Sequence, residues 1–468
     1  MAGEPEIARG VSRGAINAFF KRNAISGDVH SLVVSDHGRT VVRLAPYPYR
    51  PEDRSEVYSL SKTFSATAVG MLVYKGLVNE EDLICDLFPD KVPAEPSENL
   101  KKMKLKHVLS MNSGHENCVM GKMNLSADPV RTFMEEEVRF EPGTHFTYDT
   151  GCSALLACLV KKITGMNVSE YLSAELFPAL GIRSVSWLNM SSGINMGGCG
   201  IHVSADDIAK FGRLFLSGGE INGVRYISEE WIKKASSFIS DTKDARSQRD
   251  WINGYGYQMW LNRDEGYRGD GAFGQLMMIY PERDIVVAVT GMLGDMQGEV
   301  ESVYDLVTGL YDDGSEELVL PEYHPIGSET RLSGLEGAYY SLDENPYGFK
   351  GLTISYDNRS DCLTVTLSDG SVANDITAGN GKWVRSTIFA KKWEPNLPEI
   401  MSSDSIHRSD MCASYSADEG KIQLLIRHIS CPHQKTWCIT GNGNEIEMKA
   451  ENCEFLEPGC GIITGHRR

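Results

Sequence analysis

The sequence predicts an α/β protein in which one sheet, assembled from distant segments and carrying a helical insertion, precedes an all-β domain, a barrel or sandwich. Three observations predict it. Strand patterns stand near both ends of the first three hundred residues, helical patterns fill the stretch between them, and after about residue 318 the texture changes to short alternating runs. A chain of 468 residues has room for two or three domains. The expected division is 1–318 and 319–468.

Taken in order, "HSLVVSDHGRTVVRLA" alternates and turns at Asp36-His37-Gly38, which reads as a β-hairpin. From about 57 to 235 the pattern is mainly helical. In "SADDIAKFGRLFLSGG", Ser204 stands as N-cap with Asp207 three residues on, Ile208, Phe211, Leu214 and Phe215 form an apolar stripe, and Gly218 stops it. Strands return at "QLMMIY" and "IVVAVTG", joined by Pro281-Glu282-Arg283-Asp284, and "EVESVYDLVTGLYDD" closes this part as a helix. "LVLPEYHPIG" reads as a linker. Beyond it, "GLTISYD", "CLTVTLS", "KWVRSTIF", "KIQLLIRHI", "KTWCIT" and "EIEMKA" are strands separated by turn clusters such as Asp357-Asn358-Arg359.

Composition narrows the function. The hydrophobic fraction is 41%, the charged fraction 24% and the formal net charge −18. An acidic chain lacks the basic face that nucleic acid or an anionic membrane requires. The first residues hold no apolar signal core, and no run of 18 apolar residues crosses a membrane. Eleven cysteines, an odd number without a CxxC pair, read as reduced thiols in a cytoplasmic protein, with neither a disulfide framework nor a metal site. Those after residue 360, near His433 and His466, are spaced too widely for ligand pairs.

The chemistry concentrates in "VYSLSKTFSATAVGM". A serine hydroxyl becomes a nucleophile only when a base takes its proton. Residues i and i+3 share a helix face, so Ser59 on a first helical turn presents its oxygen to the Lys62 amine, and the helix N-terminus adds positive potential. The apolar segment behind them, ending at Gly76, predicts a buried, rigid helix. The four residues alone read equally as an N-cap with a surface lysine. S-x-x-K recurs at Ser240-Asp241-Thr242-Lys243, in a polar loop, where it reads as chance.

Five segments change the balance: "YSLSKTFSATAVGMLVYKGLVNEED", "LKHVLSMNSGH", "FEPGTHFTYDTGCSALLACLVKKITG", "GGCGIHVSADDIAKFGRLFLSGG" and "GAFGQLMMIYPERDIVVAVTG". In order and spacing they resemble the serine hydrolases of the class C β-lactamase and penicillin-binding type, including family VIII esterase-like members, over residues 28 to 310. The resemblance implies an antiparallel sheet flanked by helices with a helical subdomain. It implies Ser59 as nucleophile, Lys62 as proton shuttle and Tyr148 as second base, since a phenol acts as a base only where a cation stabilises its anion. The N–H groups of Ser59 and Ala272 would form the oxyanion hole.

Two positions depart from that pattern. Aligning Gly271 with the last glycine of the K-T-G or H-x-G element leaves Gly269 where relatives keep a cation, and Thr150 replaces the asparagine of Y-x-N. Both weigh against a β-lactamase. Thr150, Arg268, Asp270, Gly271 and His115 are the substrate-binding candidates, with an internal Arg268–Asp270 pairing as the alternative for those two. The resulting expectation is a serine hydrolase forming an acyl-enzyme on an ester or amide of a small molecule, without metal or organic cofactor. Esterase ranks first, then D-amino acid or peptide amidase, then β-lactamase. From another class comes a sensor that is acylated and never turns over. The β domain is left open between capping the site (through a loop such as "EPNLPEIMSSDS"), mediating a homo-oligomer and adding stability.

Overall fold

Asp36 and Arg39 are joined by His37 and Gly38, whose φ angles of 42° and 77° form a two-residue loop of the left-handed kind that suits the twist of a hairpin. That hairpin is the start of the main sheet. The computed structural model describes residues 6–264, 266–312, 316–391, 393, 406–451 and 461–468. They fall into two compact units, 1–46 with 50–321, and 47–49 with 322–468. The expected loop "EPNLPEIMSSDS", 394–405, lies outside the described residues.

In the first unit the strands are β1 (Glu6–Ile7), β2 (Gly27–Asp36), β3 (Arg39–Leu44), β4 (Ser55–Glu56), β5 (Ser186–Trp187), β6 (Ile201–Val203), β7 (Glu220–Ile221), β8 (Val224–Arg225), β9 (Trp260–Leu261), β10 (Tyr267–Gly271), β11 (Gln275–Tyr280) and β12 (Ile285–Leu293). Seven form the main sheet in the order β1-β3-β2-β12-β11-β10-β9, with every neighbour antiparallel. Sequence-distant strands β2 and β12 meet at its centre, as a sheet closed around a helical insertion requires. All six residues of β11 are buried, so both of its faces are covered.

Five helices matter for the site: α1 (Arg13–Asn23), α2 (Ser61–Tyr74), α3 (Thr150–Thr164), α4 (Ala205–Leu216) and α5 (Met296–Thr308). Residues Ser61 to Leu72 of α2 are all buried, which makes it the central helix of the insertion. Its Phe64 stacks on Phe211 of α4 at 3.8 Å between ring centroids. Ser204 caps α4 as expected, accepting the Asp207 N–H at 3.1 Å while the Asp207 carboxylate accepts the Ser204 N–H at 3.3 Å.

The second unit is the barrel of the two expected forms. Its strands are β13 (Tyr339–Leu342), β14 (Gly351–Asp357), β15 (Cys362–Ser368), β16 (Ala373–Asn380), β17 (Val384–Ala390), β18 (His407–Asp418), β19 (Lys421–His428), β20 (Gln434–Gly441), β21 (Glu445–Glu451) and β22 (Ile462–Arg467). A parallel pairing of Gly379 and Asn380 with Ser414 and Tyr415 closes nine of them into a ring, and β17 lies beside β18 as the tenth. Alternate residues point inward onto a core that includes Leu363, Val365, Ile422, Leu424 and Trp437.

Candidate active site

Strand β4 ends at Glu56, and a tight 3₁₀ turn, Tyr58–Leu60, separates it from α2. Ser59 therefore sits in the turn before the helix, not on the first helical turn expected from the sequence. The cause is Tyr58, whose φ of 48° lies outside the helical region. The conformation is held from both sides. The buried Glu56 carboxylate accepts the Tyr58 N–H at 2.8 Å and the Gly200 N–H at 2.7 Å. Ser61 Oγ donates to the Tyr58 carbonyl at 2.6 Å and accepts the Ile201 N–H at 3.2 Å.

Lys62 lies one turn further, with 1% of its surface exposed. Its Nζ donates to Ser59 Oγ at 2.8 Å and to the Gly198 carbonyl at 2.9 Å. Neither of these partners carries charge. The same Nζ stands 4.8 Å from the centroid of the Tyr148 ring. Tyr148 is placed by its neighbour Asp149, the N-cap of α3, whose Oδ1 accepts the N–H groups of Gly151 at 2.7 Å and Val119 at 2.9 Å. Its half-buried ring stacks on Trp260 with centroids 5.5 Å apart. Ser59, Lys62 and Tyr148 thus converge on one point.

Strand β10 closes another side. A Cβ at Gly271 would come within 2.1 Å of the Val57 carbonyl oxygen, and one at Gly269 within 2.5 Å of Leu60 Cδ1 and 2.6 Å of Thr63 Oγ1. Glycine at both positions lets β10 lie directly against the turn that carries Ser59. Ala272 opens the loop that follows, and its neighbour Phe273 packs edge-on against Tyr58, centroids 5.3 Å apart. The side chains of Tyr58, just before Ser59, and of Phe273, just after Ala272, are therefore in contact.

Among the substrate-binding candidates, Thr150 borders this point. Its Cγ2 lies 2.5 Å from where a Gly198 Cβ would stand, beside the carbonyl that Lys62 binds. Arg268 is fully buried and directs its guanidinium to Asp270 Oδ2 at 3.2 Å, Asn262 Oδ1 at 3.0 Å and the Asp250 carbonyl at 2.9 Å. Burial raises the Asp270 pKa while Arg268 opposes that rise. This couple thus forms the internal Arg268–Asp270 pairing that stood as the alternative. His115 is fully buried against Phe133 and contacts Asp149 Oδ2 at 3.3 Å. Ser240 of the second S-x-x-K donates to the Ser110 carbonyl at 2.7 Å, a buried loop contact.

Sequence reasoning missed two groups. Glu56, three residues before Ser59, was visible as a carboxylate beside the motif. Arg246 was not: it lies in "SDTKDARSQRD", yet its Cζ stands 5.0 Å from the Tyr148 centroid and 5.7 Å from that of Trp260. No spacing rule links a loop residue to a tyrosine about a hundred positions earlier.

Among the described residues, no group of three or more His, Cys, Asp or Glu is arranged to hold a metal ion, and no helix is long and apolar enough to cross a membrane. Residues 15–292 match the family described as Beta-lactamase. The chain belongs to that family. Over 262 residues it is 24% identical to a 6-aminohexanoate-dimer hydrolase of Paenarthrobacter ureafaciens, covering 51% of this chain and 66% of that protein. Over 146 residues it is 26% identical to a D-aminopeptidase of Brucella anthropi, 29% of this chain and 26% of the other. The Beta-lactamase family member thus spans less than two thirds of the length of these relatives. Among solved structures, the octameric penicillin-binding protein homologue from Pyrococcus abyssi aligns with a TM-score of 0.51 at 15% identity, covering 96% of this chain and 98% of that one. That likeness extends the common fold into the barrel.

Proposed function

We propose that this chain is a serine hydrolase that acts through an acyl-enzyme on an ester or amide of a small molecule. The observation that carries the reading is the buried Lys62, its Nζ 2.8 Å from Ser59 Oγ and 4.8 Å from the Tyr148 ring. Ser59 Oγ attacks the carbonyl carbon, and its proton passes to the Lys62–Tyr148 pair. The N–H groups of Ser59 and Ala272 receive the oxyanion, a contribution of about 3–4 kcal/mol per donor in acyl transfer. Collapse expels the alcohol or amine, which takes the proton back. Water then attacks the acyl carbon, the same pair accepts its proton and passes it to Ser59 Oγ as the ester C–O bond breaks, and the free acid and Ser59 are released. As functional domains we read 1–318 as the hydrolase and 319–468 as the β domain. The free thiols of all nine described cysteines support a cytoplasmic setting.

Ester and amide readings stay close. A site with no cation at Gly269 favours an ester with a good leaving group, whereas the relatives named as a dimer hydrolase and a D-aminopeptidase favour an amide. Hydrolysis of p-nitrophenyl acetate tests the shared step. Ser59→Ala is expected to lower kcat/KM by at least about 10³. A variant that keeps its rate overturns the assignment. Intact-mass spectrometry separates the sensor alternative, because a hydrolase loses its acyl adduct within the assay and a sensor keeps it.

A further inference from the structure

We propose that Arg246 is the anion-recognition residue of this site, and that the substrate carries a carboxylate remote from its scissile carbonyl. The inference rests on the hydrolase reading above and deepens it. Arg246 is part-exposed and lies over the Tyr148 and Trp260 rings, its Cζ 5.0 Å and 5.7 Å from their centroids. Tyr148 in turn lies beside Lys62, which binds Ser59 Oγ. The cation is therefore separated from the nucleophile by one aromatic ring and one lysine.

Its charge is not spent inside the protein. Arg246 makes no ion pair with any described carboxylate, and its Nε–H is buried with no hydrogen-bond partner. Three arginines of the unit do spend their charge on carboxylates: Arg268 on Asp270, Arg43 on Asp206 at 2.7 Å and Arg225 on Glu220 at 3.2 Å. A guanidinium left open beside the proposed nucleophile matches a planar, singly charged carboxylate, which accepts two parallel hydrogen bonds from it. The strand across the site offers no competing cation, since Gly269 has no side chain and Arg268 is enclosed by its own partners.

The test measures binding, so that it does not depend on turnover. In the Ser59→Ala protein, calorimetry compares N-acetyl-6-aminohexanoate with its uncharged N-methylamide. The acid is expected to bind at least tenfold more tightly at low salt, and adding Arg246→Gln is expected to reduce that ratio to near one, with Arg246→Lys keeping part of it. Equal binding of the two probes when Arg246 is present overturns the proposal. So does a preference that survives Arg246→Gln. Circular dichroism melts of each variant establish that the ratio is read on folded protein. Ester hydrolysis by the chain with Ser59 intact is scored separately: no hydrolysis with the preference retained sinks the hydrolase reading and leaves the anion site standing.

Discussion

At the residue scale the site depends on a conformation that side chains normally avoid. Tyr58 adopts a φ of 48°, and a bulky residue there costs on the order of 1–3 kcal/mol. Glu56 offsets the cost by accepting the N–H of Tyr58 and of Gly200, which ties the nucleophile turn to the segment whose Gly198 carbonyl holds Lys62. Through these two backbone N–H groups Glu56 sets the shape of the turn, which makes it a positioning residue. Glu56→Ala is expected to lower kcat on an activated ester by more than tenfold, with KM changed by less than threefold. Glu56→Gln keeps the acceptor oxygen and should restore most of the rate. Equal loss in both variants would mean that the charge and not the hydrogen bonds matters. Ser59, Lys62 and Tyr148 were legible because short spacings and ordered segments carry them. Glu56 and Arg246 act through contacts that form only when distant backbone segments are packed, and no local pattern encodes those.

At the element scale, periodicity located α4 and most barrel strands, because each buries one repeating face, while apolar runs bounded by turns located β2, β11 and β12, which are buried on both faces. Helix α2 was legible as buried, but its first turn was not, since the switch from a 3₁₀ turn to a helix follows from one unusual φ. The glycine at 269 was legible as a departure from the family pattern, yet its reason became visible only with Leu60 and Thr63 in place. At this spacing a methyl group forces the Leu60 and Thr63 side chains to shift. Gly269→Ala is expected to cost about 1–3 kcal/mol and to lower the melting temperature of the first unit by about 2–8 °C, with a parallel loss of kcat. Gly121→Ala, where the added methyl meets nothing within 4 Å, is the matched control. Scanning calorimetry on the two variants decides it: equal melting temperatures would mean that β10 and the turn have slack.

For the whole molecule, the two units carry buried titratable groups of opposite sense. In the first unit burial, with Asp270 adding to it, raises the Glu299 pKa well above its ordinary value. A carboxyl held neutral in the fold contributes full stability below its unfolded pKa and loses it as pH rises toward the folded one. His107 in the same unit works against it, depressed to about 4 first by burial and then by Lys106 and Lys104. The barrel holds histidines of this second kind. Burial lowers His433 to about 4, and lowers His428 well below its ordinary value with Lys435 and His433 adding to the effect. A histidine kept neutral in the fold contributes stability that is present above about pH 6.5 and lost as pH falls toward the folded value, because the unfolded chain binds the proton first. Between pH 7 and pH 5 His433 alone should withdraw about 2 kcal/mol from the barrel. Hydrogen exchange followed by mass spectrometry, reading peptides from β18 to β20 apart from those of β11 and β12, should show barrel protection falling over that range. His433→Gln should remove about 2 kcal/mol of the fall. Barrel protection that is flat from pH 7 to pH 5 in the unaltered chain would mean that these histidines are proton-accessible in the fold.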